Sequence, residues 1–194
     1  MRPRSLVINP TMTARRHARF PLSLLSLASA VGARADCRIL DGNVERDTAP
    51  LARRMLADDD YLAVGVTVMG GPQVASAIAL SQMIRALHPR MPIIWGGYFP
   101  TLYPVAAMNA PYVDYLVRGQ GEAALPALLQ QLPSPDSSEL AGIAGLSWRR
   151  DVEVVHNRNR PFEPVANSGI PYQLLGDPRH YLARPSIDRA GTRI

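Results

Sequence analysis

The sequence predicts an α/β protein built on a doubly wound, five-stranded parallel sheet, followed by a C-terminal β-hairpin and an extended tail. Three observations carry that expectation. Within residues 1–135, five short apolar runs each lead into a segment with helical spacing. The third and fourth runs are apolar almost throughout, as strands buried on both faces are. After residue 135 the alternation stops, and two strand-like runs meet at a tight turn.

Taken in order, SLVIN (5–9) is a short strand, and Phe20 to Val31 is a helix with leucines on one side. CRILDGN (37–43) is the second strand, and its helix turns Leu51, Met55 and Leu56 inward. YLAVGVTV (61–68) is the third strand, interrupted only by Gly65 and Thr67. Val74 to Leu87 is the clearest helix, opened after Pro72 and stopped by His88-Pro89. PIIWGG (92–97) is the fourth strand, Val105 to Asn109 a short helix, and YVDYLVRG (112–119) the fifth strand. A helix from Glu122 to Leu132 ends at the loop PSPDSS. IAGLSWRR and DVEVVHN then form a hairpin, and from Asn157 to Ile194 the chain is proline-rich, with the character of a linker or arm. Right-handed crossovers join parallel neighbours, so the first part implies helices on both faces of one sheet, a flavodoxin-like or Rossmann-like three-layer sandwich. The expected division is residues 1–135 as a binding domain and 136–194 as hairpin and arm leading toward a missing catalytic domain.

Composition bounds the function. The chain has 194 residues, 47% hydrophobic and 19% charged, as in a globular protein. Its net charge of +5 rests on 21 basic residues, all arginine, scattered rather than lined up along one face. That pattern argues against a nucleic-acid track, and no nucleic-acid partner is expected. Cys37 is the single cysteine, which excludes an internal disulfide or a cysteine-built metal site and reads as a small core residue. Arg15-Arg16-His17-Ala18-Arg19, the apolar stretch after it and Ala33-Arg34-Ala35 imitate a secretory leader. A strand precedes the basic residues and another follows the stretch, so a packed helix is the better reading. No run reaches the length of a membrane span, and a cytoplasmic protein without membrane contact is expected.

In a doubly wound sheet, ligands bind at the carboxyl ends of the strands, where the winding reverses. Here those ends carry Asn9-Pro10, Asp41-Gly42-Asn43, Thr67-Val68-Met69-Gly70-Gly71, Gly96-Gly97-Tyr98-Phe99-Pro100-Thr101 and Arg118-Gly119-Gln120-Gly121-Glu122. Three of these five loops hold paired or near-paired glycines, which suits a large flat ligand lying close to the backbone. The usual nucleotide signatures are missing: the first loop has no GxGxxG, and a phosphate loop needs a lysine. Nor can a catalytic set be nominated. His17, His88, His156 and His180 fall on a loop, a helix end, the hairpin and the tail, without carboxylate partners at ligand spacing. Asp58-Asp59-Asp60 reads as a helix end and turn, and Asp114 as a satisfied polar group.

VTVMGG, then a helix, then PIIWGGYFPTLYP, then VDYLVRGQGE opening a helix resembles the cobalamin (vitamin B12)-binding N-terminal domain of cobalamin-dependent radical S-adenosylmethionine enzymes. The resemblance covers about residues 4–132. It implies that Thr67 and Gly96-Gly97 line the pocket for the nucleotide tail of cobalamin and that Tyr98 and Phe99 border the corrin. The other expected contacts are Asn9, Pro10, Val68, Met69, Gly70, Gly71, Pro100, Thr101, Gly119, Gln120, Gly121 and Glu122. The sequence departs from the wider family in three ways. NPTMTARRH has no DxHxxG motif to supply a cobalt ligand, Gln120 stands where glutamate is frequent, and Phe99 stands where histidine is. No CxxxCxxC motif for an iron-sulfur cluster is present. The resemblance therefore implies a stand-alone or truncated cobalamin-binding domain that serves methyl transfer or rearrangement by a separate radical S-adenosylmethionine subunit. A flavodoxin-like domain for another flat cofactor such as flavin, and a degenerate fragment that binds nothing, are the alternatives.

Overall fold

The computed structural model describes residues 2–32, 35–45, 47–164 and 169–182. Ala33 and Arg34 of the leader-like ending, and 165–168 and 183–194 of the expected arm, lie outside the described residues. The elements are β1 (Arg4–Asn9), α1 (Leu22–Val31), β2 (Asp36–Asp41), α2 (Thr48–Asp58), β3 (Ala63–Thr67), α3 (Pro72–Leu87), β4 (Ile93–Gly96), α4 (Tyr98–Leu102) and α5 (Pro104–Met108). They continue with β5 (Tyr115–Val117), α6 (Gly121–Gln131), α7 (Ser137–Gly142), β6 (Leu146–Arg150) and β7 (Glu153–His156).

The sheet has the order β2-β1-β3-β4-β5-β6-β7. The first five strands pair in parallel, as expected, and β6 and β7 add antiparallel. The hairpin is therefore part of the same sheet, which is mixed and seven-stranded instead of five-stranded and purely parallel. The physical reason is at β5, which has parallel β4 on one side and would otherwise leave its other row of backbone groups unpaired. Leu116 and Val117 pair with Ser147 and Leu146, and Trp148 is buried below the junction.

Side-chain alternation sends the strands to two faces. Leu6, Ile8, Val64, Val66, Ile93, Trp95 and Leu116 pack with α2, α3 and α5. Trp95 is fully enclosed there, its indole N–H donating to Ser81 Oγ at 2.9 Å. The other face packs α1, α6 and α7, and its core includes two clusters against the middle strands. One holds Val7, Leu24, Ala28 and Cys37; the other holds Ile94, Val117, Leu125, Leu128 and Trp148. Burial pushes the Cys37 thiol up to about 12, which fits an inert core residue.

Two short helices fall where loops were expected. α4 starts directly after Gly97, whose φ of +96° turns the chain out of β4. α7 is capped by Asp136, which accepts from the Ser138 and Glu139 amides at 2.7 and 3.3 Å. Several arginines are used internally. Arg4 pairs with Asp59, Arg85 with Asp114, and Arg149 donates to the Met108 and Ala110 carbonyls. Asp114 also accepts from the Ile93 amide at 2.7 Å. No helix among the described residues is long and apolar enough to cross a membrane.

Candidate functional site

Between the two clusters of the α1/α6 face lies a cleft of about 520 Å³, running from the carboxyl ends of the strands down against the sheet. Its floor is Val7, Gly65, Ile94 and Val117, and Leu27 of α1 and Leu125 of α6 form its sides. The cleft exists because one floor position lacks a side chain. A Cβ on Gly65 would meet Val7 at 3.6 Å and Leu6 O at 4.0 Å, both ordinary contact distances, so the space above it is open.

The mouth is polar and glycine-rich. Thr67 pairs with Gly96 across β3 and β4, and Gly96 with Val117 across β4 and β5. At Gly97 a Cβ would sit 3.0 Å from Thr67 Oγ1 and 3.1 Å from Val68 N, so only glycine lets the chain turn this close to the neighbouring strand. The Thr67 hydroxyl has no hydrogen-bond partner among the described residues and lines the cleft. Thr101 ties two of the loops together: its Oγ1 donates to Gly97 O at 2.7 Å and accepts from the Gly119 amide at 2.9 Å. Glu122 accepts from Ser26 at 2.8 Å and so links α6 to α1. Gly121 allows that close approach, since a Cβ there would lie 2.7 Å from Leu27.

Of the residues expected at the site, Thr67, Met69, Gly96, Gly97, Tyr98, Thr101, Gly119, Gln120, Gly121 and Glu122 meet at this cleft. Asn9, Pro10, Val68, Gly70, Gly71, Phe99 and Pro100 do not line it. Phe99 turns to the opposite face, packed on the core beside Tyr103, so Tyr98 alone of the aromatic pair stands at the mouth, 60% exposed. Val68 and Pro100 are buried. Asn9 and Pro10 instead join a buried support under the rim. Gln73, 1% exposed, donates to Asn9 Oδ1 and Pro10 O at 2.8 Å and accepts from the Met69 amide at 2.7 Å. Asn9 in turn donates to Asp41 at 2.9 Å, and Tyr181 donates to the same carboxylate at 3.1 Å. One side chain thus fixes the first and third loops relative to each other.

Sequence reasoning missed Val7, Ser23, Leu27, Gly65, Val66, Ile94, Val117, Leu125 and Phe162. The signal for Gly65 was present, as a glycine in the middle of a buried strand marks a close backbone approach. His17 is exposed, its Nε2 accepting from Arg16, and no cluster of three potential metal ligands occurs among the described residues.

A doubly wound sheet with an apolar slot under glycine-rich strand ends is the arrangement of a domain that binds a ligand in the crevice at its strand ends. Residues 12–129 match the B12 binding domain, and the chain belongs to that family. Its cofactor is cobalamin, and the slot fits it: the space over Gly65, the bare Gly97 turn and the unpartnered Thr67 hydroxyl suit an elongated, partly apolar tail. The chain is 30% identical over 146 residues to an uncharacterized methyltransferase of Pyrococcus horikoshii, covering 75% of this chain and 30% of that protein. It is 30% identical over 83 residues to the anaerobic magnesium-protoporphyrin IX monomethyl ester cyclase of a Synechocystis species, over 42% of this chain and 16% of that protein. The fold is similar to the radical S-adenosylmethionine methyltransferase TsrM from Kitasatospora setae with cobalamin and a [4Fe-4S] cluster bound (TM-score 0.71, 24% identity, 88% of this chain and 31% of that one). It is also similar to the cobalamin-dependent S-adenosylmethionine radical enzyme OxsB with aqua-cobalamin and S-adenosylmethionine bound (TM-score 0.70, 20% identity, 83% and 23%). The chain spans about a third or less of the length of these relatives.

Proposed function

We propose that this chain holds cobalamin for a radical S-adenosylmethionine catalytic domain, encoded with it or separately, that performs methyl transfer or a rearrangement. The observation that carries the reading is the apolar slot over Gly65, closed at its mouth by Thr67 and the Gly97 turn. The names of the relatives support the choice of partner. In this reading Thr67, Gly96, Gly97, Gly119 and Gly121 seat the nucleotide tail. Met69, Tyr98 and Thr101 border its entry beside Gly70 and Gly71, while Asn9, Pro10, Val68, Phe99 and Pro100 support these loops from beneath. When bound, cobalamin supplies a cobalt centre able to carry and release a carbon group, and this chain contributes placement. Residues 1–135 bind the cofactor, while 136–194 lead toward the catalytic partner. A cytoplasmic setting belongs to the same reading, because the leader-like apolar stretch is used as α1, with Leu24, Leu25, Ala28 and Val31 buried.

Mixing the protein with hydroxocobalamin, desalting it and recording the visible spectrum tests the assignment. A retained corrin spectrum that disappears in Gly97→Trp is the expected result. A folded, colourless wild type would overturn it, and retention of flavin under the same protocol would favour the flavodoxin-like alternative.

A further inference from the structure

The cleft is bounded by more than the sheet and its helices. Beyond β7 the chain folds back across the mouth, and it is pinned there at several points. The Gly145 amide donates to Arg158 O at 2.8 Å. Arg118, buried at the end of β5, donates to the Asn157 carbonyl and to Asn159 Oδ1. Within the returning segment itself, Arg160 pairs with Glu163 at 2.5 Å. The most informative pin is Gln120, whose Nε2 donates to Glu163 O at 2.6 Å while its Oε1 accepts from the Glu163 amide at 2.7 Å. A carboxamide matches one residue's N–H and C=O in this way, whereas a carboxylate has no proton for the carbonyl. Beside this pin stands Phe162, which lines the cleft and is nonetheless 90% exposed. An aromatic ring held in water by a strap with this many anchors contributes little to folding by itself.

We propose that residues 158–164 form a clasp over the cleft, in which Phe162 packs on the nucleotide tail of bound cobalamin and Gln120 acts as the positioning residue. The inference rests on the cobalamin reading above. It concerns a segment beyond the residues that match the B12 binding domain.

The test compares cobalamin with cobinamide, a corrinoid without the nucleotide tail, using the full chain. Affinities come from corrinoid retention, and the state of the strap from hydrogen exchange over 159–164. Cobalamin is expected to slow exchange there and cobinamide to leave it unchanged. Phe162→Ala is expected to weaken cobalamin at least about tenfold while cobinamide stays within about twofold. Gln120→Glu, which keeps size but removes the donor, is expected to speed exchange in the strap and weaken cobalamin in the same selective way. Unchanged cobalamin affinity in Phe162→Ala, or equal loss for both corrinoids, would overturn the clasp alone. If wild type retained neither corrinoid, the cofactor reading would fall and the clasp with it.

Discussion

Gly65 is the residue on which the cleft depends, and its neighbourhood separates folding from binding. Any side chain there would enter the slot, yet its Cβ would have only ordinary contacts with Val7. A mid-strand glycine also costs roughly 0.5–1 kcal/mol relative to alanine, and a β-branched residue suits a buried strand. Gly65→Val is therefore expected to melt at or slightly above the wild-type temperature while losing cobalamin at least about tenfold and keeping cobinamide. Thermal melts and corrinoid retention on the same preparation check this. Full cobalamin retention in Gly65→Val would show that the tail lies elsewhere. The contrast with Gly97 is instructive, because at φ +96°, where an added Cβ would lie 3.0 Å from Thr67 Oγ1, that glycine serves the backbone as well as the ligand. From the sequence, the Gly96-Gly97 pair was legible, since two glycines after an apolar run are hard to explain otherwise. Gly65, by contrast, stands in the sequence only as an interruption of its strand. The resemblance puts Phe99 beside Tyr98 at the corrin, but nothing in the sequence signals α4, whose turn leaves Tyr98 at the mouth while Phe99 packs away from it.

At the scale of elements, the hairpin β6–β7 completes the sheet and carries a titratable group at its seam. His156 Nδ1 lies 2.8 Å from the Ser147 hydroxyl, and Ser147 is fully buried. Burial, and then the nearby Arg118 charge, hold the His156 imidazole below its ordinary value near 6.5. The sign follows from linkage: the unfolded chain takes up this proton more readily, so His156 leaves stability untouched above about pH 6.5 and erodes it as pH falls below that. The loss levels off under the lowered folded value. Wild type is expected to lose more melting temperature between pH 7.5 and 5 than His156→Gln does, with the carboxylates common to both. Equal slopes would remove His156 from the account. All five parallel strands and their order of appearance were legible from apolar runs and spacing. The joining of the hairpin to β5 was not, because period-two patterning shows that two strands pair with each other but not which third strand they join. α7 had a local signal, Asp136 three residues before Glu139, which resembles a capping box hidden inside a proline- and serine-rich stretch.

For the molecule as a whole, the cleft draws on the four central parallel strands of the sheet and on segments far apart in the chain. Residues from β1, β3, β4 and β5, from α1 and α6, and from the strap all line it, while Gln73 and Thr101 tie the loops above it. A ligand that fills such a site binds the folded chain and not the unfolded one, so it must stabilise the fold by mass action. At a free cobalamin concentration of a hundred times Kd the gain is about 2.7 kcal/mol. For a domain of this size each kcal/mol shifts the midpoint by about 2–4 °C, which gives a rise of roughly 5–10 °C. Because the contacts come from both ends of the chain, the melt is expected to stay a single transition that moves as a unit, with the strap and hairpin carried along. Differential scanning calorimetry with and without hydroxocobalamin reads both features. Two transitions, of which only one moves, would show that the hairpin and strap unfold apart from the cofactor site. That result would separate 136–194 from the binding domain energetically even though the two share one sheet.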